Sequence, residues 1–190
     1  MSWTHLTPLP LDVAAVEIVP TAPPPPPGDI GALLSPTPAE AVRGMARDRL
    51  SASGGSGQAV FLVTAASVAR ERDGALLCAL GCRLEISGKG GEEGPGFAEA
   101  AARRGVAGAD AARPRAADLL LRQTMDDLNV EFEFQLRRNL RRWLVSVAPP
   151  GAAVPPPVGR EELPPAGGTP APAPAPSGPL PPPDLPPPEE

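Results

Sequence analysis

The strongest constraint on the fold is a single stripe of apolar side chains in residues 118–143. The stripe recurs at steps of three or four, the spacing that places side chains on one face of an α-helix. Its members are Leu121, Met125, Leu128, Phe132, Leu136, Leu140 and Trp143. The pattern predicts a long helix whose apolar face is buried against the rest of the protein. We expect Phe132 and Trp143 to be packed and Phe134, which lies off the stripe, to be exposed.

The same segment ends in the most basic cluster of the chain. Its members are Arg137, Arg138, Arg141 and Arg142, beside Trp143. In one interpretation these cations only offset the negative end of the helix dipole, with Glu133 and Arg137 paired across one turn. In the other, the cluster contacts a partner or anionic lipid head groups, with the tryptophan at the interface. These five residues are the candidate contact site.

Composition divides the chain into three parts. Residues 1–10 are expected to be a flexible N-terminus and residues 11–147 a single domain. Residues 148–190 hold 18 of the 30 prolines and few large aliphatic side chains, so this proline-rich tail is predicted to be disordered. Its PxxP spacings are also compatible with an adaptor that proline-reading domains bind.

The domain shows alternating strand and helix signals. Residues 11–19 form a β-branched run between prolines, and residues 58–68 and 75–87 alternate as strands do. Thr37, Pro38 and Glu40 form a capping-box pattern that predicts a helix over residues 38–53.

Residues 97–108 are ambiguous, since their alanines favour a helix while a strand would complete an antiparallel meander; a strand is the prediction adopted. The predicted fold class is α+β, a small and mostly antiparallel sheet in β-α-β-β-β-α order with two helices on one face.

Catalytic chemistry finds little support in the residue types. His5 is the single histidine, tyrosine is absent, and a Ser-His-Asp or Cys-His arrangement would have to use His5. Asp127 and Glu131 share a helical face, but two carboxylates make a weak cation site and a solvated acidic face explains them better. Cys78 and Cys82 are read as small buried thiols that are too far apart along one strand to form a disulfide. The prediction is a non-enzyme with no catalytic, cofactor or metal site.

Charge and hydropathy exclude two further classes. Residues 1–147 are nearly neutral and most of the net charge of −5 belongs to the tail, which argues against a nucleic-acid binder. No run approaches the roughly 18 apolar residues that a membrane span needs. The N-terminus also lacks the basic and apolar regions of a signal peptide.

Three blocks of the sequence are similar to an uncharacterised family of alphaproteobacterial envelope proteins, many of them predicted lipoproteins. The blocks are LTPLPLDVAAVEIV, PTPAEAVRGMARDRLSASGGSGQAVFLVTAASV and MDDLNVEFEFQLRRNLRRWL, which together span about residues 4–144. The resemblance implies a small exported module held by lipid in the periplasm or at the outer membrane. A signal peptide and acylated cysteine would then have to be encoded upstream of Met1.

The predicted function is therefore a non-enzymatic, envelope-associated binding or assembly accessory protein, whose partner is an envelope protein or a lipid surface. A cytoplasmic interaction adaptor that uses the proline-rich tail is the alternative. An enzyme of unknown type is the third hypothesis.

Overall fold

Six strands and three helices make up the described part of the computed structural model, residues 2–87 and 96–145. In chain order they are β1 (Leu9–Leu11), β2 (Ala15–Ile18), α1 (Pro38–Arg49), β3 (Leu50–Ala52), β4 (Gln58–Arg70), β5 (Leu76–Ser87), β6 (Gly96–Val106), α2 (Gly108–Ala111) and α3 (Ala116–Asn139). Single 3-10 turns cover Gly31–Leu33 and Arg141–Trp143.

A four-stranded sheet in the order β2-β4-β5-β6 forms the centre of the fold. β5 runs antiparallel to both neighbours, so that Gly81 lies opposite Ala65 on one side and Ala101 on the other. β2 runs parallel to β4 at the edge. β1 and β3 pair separately as a parallel two-stranded sheet. The main sheet is thus mostly antiparallel.

One face of this sheet is buried. Because successive side chains of a strand point to opposite faces, the buried side chains are every second residue. In β5 the buried residues are Leu76, Cys78, Leu80, Cys82, Leu84 and Ile86. The buried side chains of β6 on this face are all alanines, Ala98, Ala100 and Ala102. In β4 the register shifts between Val63 and Ala65, so Val63 lies opposite Cys82 while Val68 lies opposite Cys78. The shift lets a 13-residue strand keep apolar side chains on the covered face over its whole length.

Both long helices cover that face. α1 packs against β4 and β5, α3 packs against β5 and β6, and the two helices contact each other. α1 begins with the predicted capping box, since Glu40 N–H donates to Thr37 Oγ1 and Thr37 N–H donates to the Glu40 carboxylate at 2.9 Å. The backbone N–H and the hydroxyl of Thr37 both donate to the Glu40 carboxylate, and these two hydrogen bonds lower the pKa of Glu40. The predicted α+β class is confirmed, and so is the strand assigned to residues 97–108.

The N-terminal part of the chain differs from its prediction. The predicted first strand, residues 11–19, is two strands that belong to different sheets. Residues 1–10, expected to be flexible, contribute Trp3 and Leu9 to the core. Trp3 N–H also donates to the Asp48 carboxylate at 2.8 Å. Helix α1 ends four residues before its predicted end because Leu50 starts β3, which pairs with β1 over its whole length. The proline-rich tail lies outside the described residues.

Candidate functional site

The predicted contact site lies at the C-terminal end of α3. Arg137 and Arg138 occupy its last turn, and Arg141, Arg142 and Trp143 form the 3-10 turn that follows. The Leu140 N–H closes the helix on the Leu136 carbonyl at 2.8 Å. The five residues are neighbours in space, yet their side chains have different environments.

Trp143 is a core residue and not a surface anchor. Only 4% of it is exposed, and a side chain added at Gly96 would collide with Leu140 and approach the indole Nε1. The Trp143 carbonyl accepts a hydrogen bond from Asp12 N–H at 2.8 Å. Arg142 covers the outside of the ring, with its guanidinium 5.9 Å from the ring centroid. The burial confirms the prediction that Trp143 is packed and does not support a tryptophan at an interface.

Arg137 is held by a carboxylate one turn earlier on the helix. Its Nε and Nη2 donate to Glu133 Oε1 at 2.9 and 2.7 Å, which is the pair predicted from the spacing. The other oxygen of Glu133 accepts from Arg49 at 2.6 Å. Burial raises the pKa of Glu133, but the hydrogen bonds from the two arginines outweigh it and leave that pKa below its usual value.

Arg49 is the main residue that sequence reasoning missed. It is fully buried, and its guanidinium donates to the Thr7 carbonyl at 3.0 Å and to Asn129 Oδ1 at 2.5 Å as well as to Glu133. The signal was present, because Arg49 continues the apolar stripe of Val42, Met45 and Ala46 at the next helical step. A charge on an apolar stripe indicates a buried partner on another element.

Three of the four arginines at this end have no carboxylate partner among the described residues. Arg138, Arg141 and Arg142 are exposed, and none of them forms an ion pair with residues 2–87 or 96–145. These three residues are called the arginine end. Exposed apolar side chains continue it along the outer face of α3, where Phe134 is 54% and Val130 69% exposed. Val130, Phe134 and Arg138 lie at steps of four, which places them on one face.

A cavity of about 600 Å³ opens beside the arginine end. The segment of residues 7–10 forms one wall, and Arg137, Arg141, Leu144 and Val145 form the other. The walls are joined because Val145 N–H donates to the Pro10 carbonyl at 3.0 Å and Leu144 bridges to Leu11. The described lining contains cations but no carboxylate. Because Glu133 already holds Arg137, Arg141 is the lining cation that forms no ion pair with the described residues.

Three of the acidic side chains of α3, Asp127, Glu131 and Glu133, have hydrogen-bonding partners within the protein. Asp127 pairs with Arg104 of β6, which lowers the pKa of Asp127 and raises that of Arg104. Glu131 accepts from Gln135 at 2.8 Å. Within residues 2–87 and 96–145 no group of three or more potential ligands is arranged to hold a metal ion.

The sequence candidates for nucleophilic chemistry lie apart. His5 is exposed near the N-terminus, whereas Cys78 and Cys82 are buried in β5. Burial raises the pKa of Cys78 to about 11 and that of Cys82 to about 12, so both thiols stay protonated at neutral pH.

Comparison of the chain with family models, with curated proteins and with solved structures found no match. In the described part of the chain, no helix combines the length and the apolar character needed to cross a membrane.

Proposed function

We propose that this protein is a non-enzymatic accessory protein of a bacterial cell envelope that contacts an anionic lipid surface through its arginine end. The observation that carries the proposal is the environment of Arg138, Arg141 and Arg142, which are exposed and unpaired by the described residues. Arg104 and Arg113 are also exposed, but each pairs with a nearby carboxylate. Arg47, Arg72 and Arg103 are likewise unpaired by the described residues, but they lie in separate parts of the fold, whereas the three arginines of the arginine end are clustered at the end of one helix. The envelope location rests only on the resemblance inferred from the three sequence blocks, because the comparisons with known proteins found no match.

Electrostatics and apolar contact act together at this surface. Each arginine near an anionic membrane contributes about 1 kcal/mol of attraction, which decays within a Debye length. Phe134 and Val130, exposed on the outer face of α3, add apolar area that can enter the head-group boundary. Because Trp143 is buried, Phe134 takes the interfacial role that the sequence suggested for the tryptophan.

Vesicle co-sedimentation tests the surface. We expect binding to phosphatidylcholine vesicles that contain phosphatidylglycerol, weak binding to phosphatidylcholine alone, and loss of the difference at high salt. The triple substitution Arg138→Gln, Arg141→Gln, Arg142→Gln should reduce binding to anionic vesicles by about tenfold or more.

A matched triple variant supplies the control. Arg47, Arg72 and Arg103 are also exposed and also form no ion pair with the described residues, so replacing all three by Gln removes the same charge elsewhere. Equal loss of binding in both triple variants would mean that vesicle binding depends only on the net charge of the protein. That result would reject the arginine end as the contact surface. Cell fractionation of the full-length gene product tests the location, and recovery in the cytoplasm would contradict the envelope proposal.

A further inference from the structure

A second and larger cavity lies at the opposite end of α3. Its volume is about 800 Å³, within the range of small-molecule sites. The end of β6 forms one wall, α2 and the loop after it form the floor, and the first two turns of α3 form the other wall. Four arginines line it, namely Arg104, Arg113, Arg115 and Arg122.

Two of these arginines are neutralised by the protein itself. Arg104 makes two hydrogen bonds to the carboxylate of Asp127. Arg113 pairs with Asp110 at 2.9 Å. Arg115 and Arg122 form no ion pair with residues 2–87 or 96–145, so two arginines of the cavity wall remain available to a ligand.

An apolar side chain stands between the two free cations. Arg115 is the N-cap residue of α3, and its carbonyl accepts a hydrogen bond from Leu119 N–H at 3.0 Å. Leu119 and Arg122 are three residues apart on one helical face, and all three residues line the cavity. Leu119 is 58% exposed, although Leu120 beside it is buried. Val106 and Pro114 add further apolar surface to the lining. Charge and apolar surface therefore meet within one cavity.

We propose that this cavity binds an amphipathic anion, whose head group lies between Arg115 and Arg122 and whose short alkyl chain covers Leu119. Asp118 also lines the cavity and adds one negative charge, so a singly charged carboxylate fits the balance better than a doubly charged phosphate. Arginine binds carboxylates through paired N–H donors, and such charge-assisted hydrogen bonds are the strong ones. The proposal concerns a different site from the arginine end.

Three probes separate the parts of the proposal in calorimetric titrations of the full chain. Octanoate carries both the charge and the chain, acetate carries the charge alone, and 1-octanol carries the chain alone. Octanoate is expected to bind at least about tenfold more tightly than either of the others. Absence of octanoate binding, or equally tight binding of 1-octanol, would overturn the proposal.

Substitutions then locate the site. Arg115→Asn with Arg122→Gln should weaken octanoate binding by about tenfold or more. Asn is chosen at position 115 because the backbone there is left-handed, with φ of 65°, and Asn tolerates that conformation. Leu119→Ser should weaken octanoate but not acetate.

Controls distinguish this proposal from the proposed function. The variant Arg47→Gln, Arg72→Gln removes the same charge outside the cavity and should bind octanoate as the unmodified chain does. The arginine-end triple variant should also bind octanoate unchanged while losing vesicle binding. If the cavity variant bound octanoate as tightly as these controls, the site would be rejected even though vesicle binding persisted.

Discussion

The inner face of α3 packs against the rest of the protein, whereas the outer face of the same helix is exposed to solvent. On the inner face Met125, Leu128, Phe132 and Leu136 are fully buried, and Phe132 meets Phe61 edge to face with ring centroids 5.7 Å apart. On the outer face Val130 and Phe134 are mostly exposed. The two faces show that apolar character alone does not define the core, because position on the stripe decides which phenyl ring is buried. Both proposed contact sites use the outer face.

The largest contrast between the faces should come from the two phenylalanines. Phe132→Ala removes a ring that is fully buried and leaves a cavity, which should lower the free energy of unfolding by about 3–5 kcal/mol. Phe134→Ala should change it by less than about 0.5 kcal/mol. Urea unfolding followed by circular dichroism measures both. Equal losses would mean that the outer face is packed as tightly as the inner one.

A smaller loss of stability is expected when the buried Arg49, which bonds to residues of α3, is replaced. Arg49→Met keeps most of the side-chain volume but leaves Asn129 and Glu133 without their donor. The expected loss is about 2–3 kcal/mol, below the range for a fully buried pair because Glu133 is a third exposed and keeps Arg137. Arg47→Met, at an exposed position of the same helix, is the control and should be nearly neutral. If the two variants unfolded alike, the network would have no net stabilising role.

Acid should weaken the same network. The pKa of Glu133 is lower in the folded protein than its usual value, so its contribution to stability is fully present above the usual value and is lost as pH falls through the folded one. Glu133→Gln should therefore reduce the drop in urea midpoint between about pH 7 and about pH 3. Glu40 and Asp127 have pKa shifts in the same direction and remain in both proteins. If the drop in urea midpoint were the same in both proteins, protonation of Glu133 would not contribute to the loss of stability in acid.

The smallest change in stability is expected for the ion pair between Asp127 of α3 and Arg104 of β6, because both side chains are exposed to solvent. Exposed ion pairs contribute little because water screens them. Asp127→Asn should barely lower the thermal midpoint, and Asp126→Asn, which removes the same charge from the neighbouring residue, supplies the reference. A clear loss at Asp127 alone would indicate that this pair fastens α3 to β6.

Local periodicity explains why much of this fold could be predicted. Steps of three and four along α3 identified Phe132 as buried and Phe134 as exposed, and both predictions are confirmed. Alternation along β5 identified the buried face of the sheet. The capping box at Thr37 located the start of α1. In each case the signal lies within one element, so no knowledge of its partners was needed.

The errors arise where the outcome depends on distant partners. Residues 11–19 read as one strand, but Leu9–Leu11 pairs with Leu50–Ala52 while Ala15–Ile18 pairs with β4. No local pattern encodes that division. The candidate site was partly predictable, because the spacing predicted the Glu133–Arg137 pair and the apolar stripe predicted a packed Trp143. The second partner of Glu133, Arg49, comes from a different helix and was not predicted. The N-terminal cavity of α3 could not be predicted because it joins β6, α2 and α3.

The two buried cysteines can report how often helices α1 and α3 separate from the sheet that they cover. A thiol reagent needs access and a thiolate, and Cys78 and Cys82 offer neither while α1 and α3 cover the sheet. At neutral pH the reagent labels molecules in which the helices have moved away from the sheet. The labelling rate therefore measures the population of this open state. Because α3 packs against β5, which carries Cys78, labelling of this native thiol reports the separation of that helix from the sheet without any engineered cysteine.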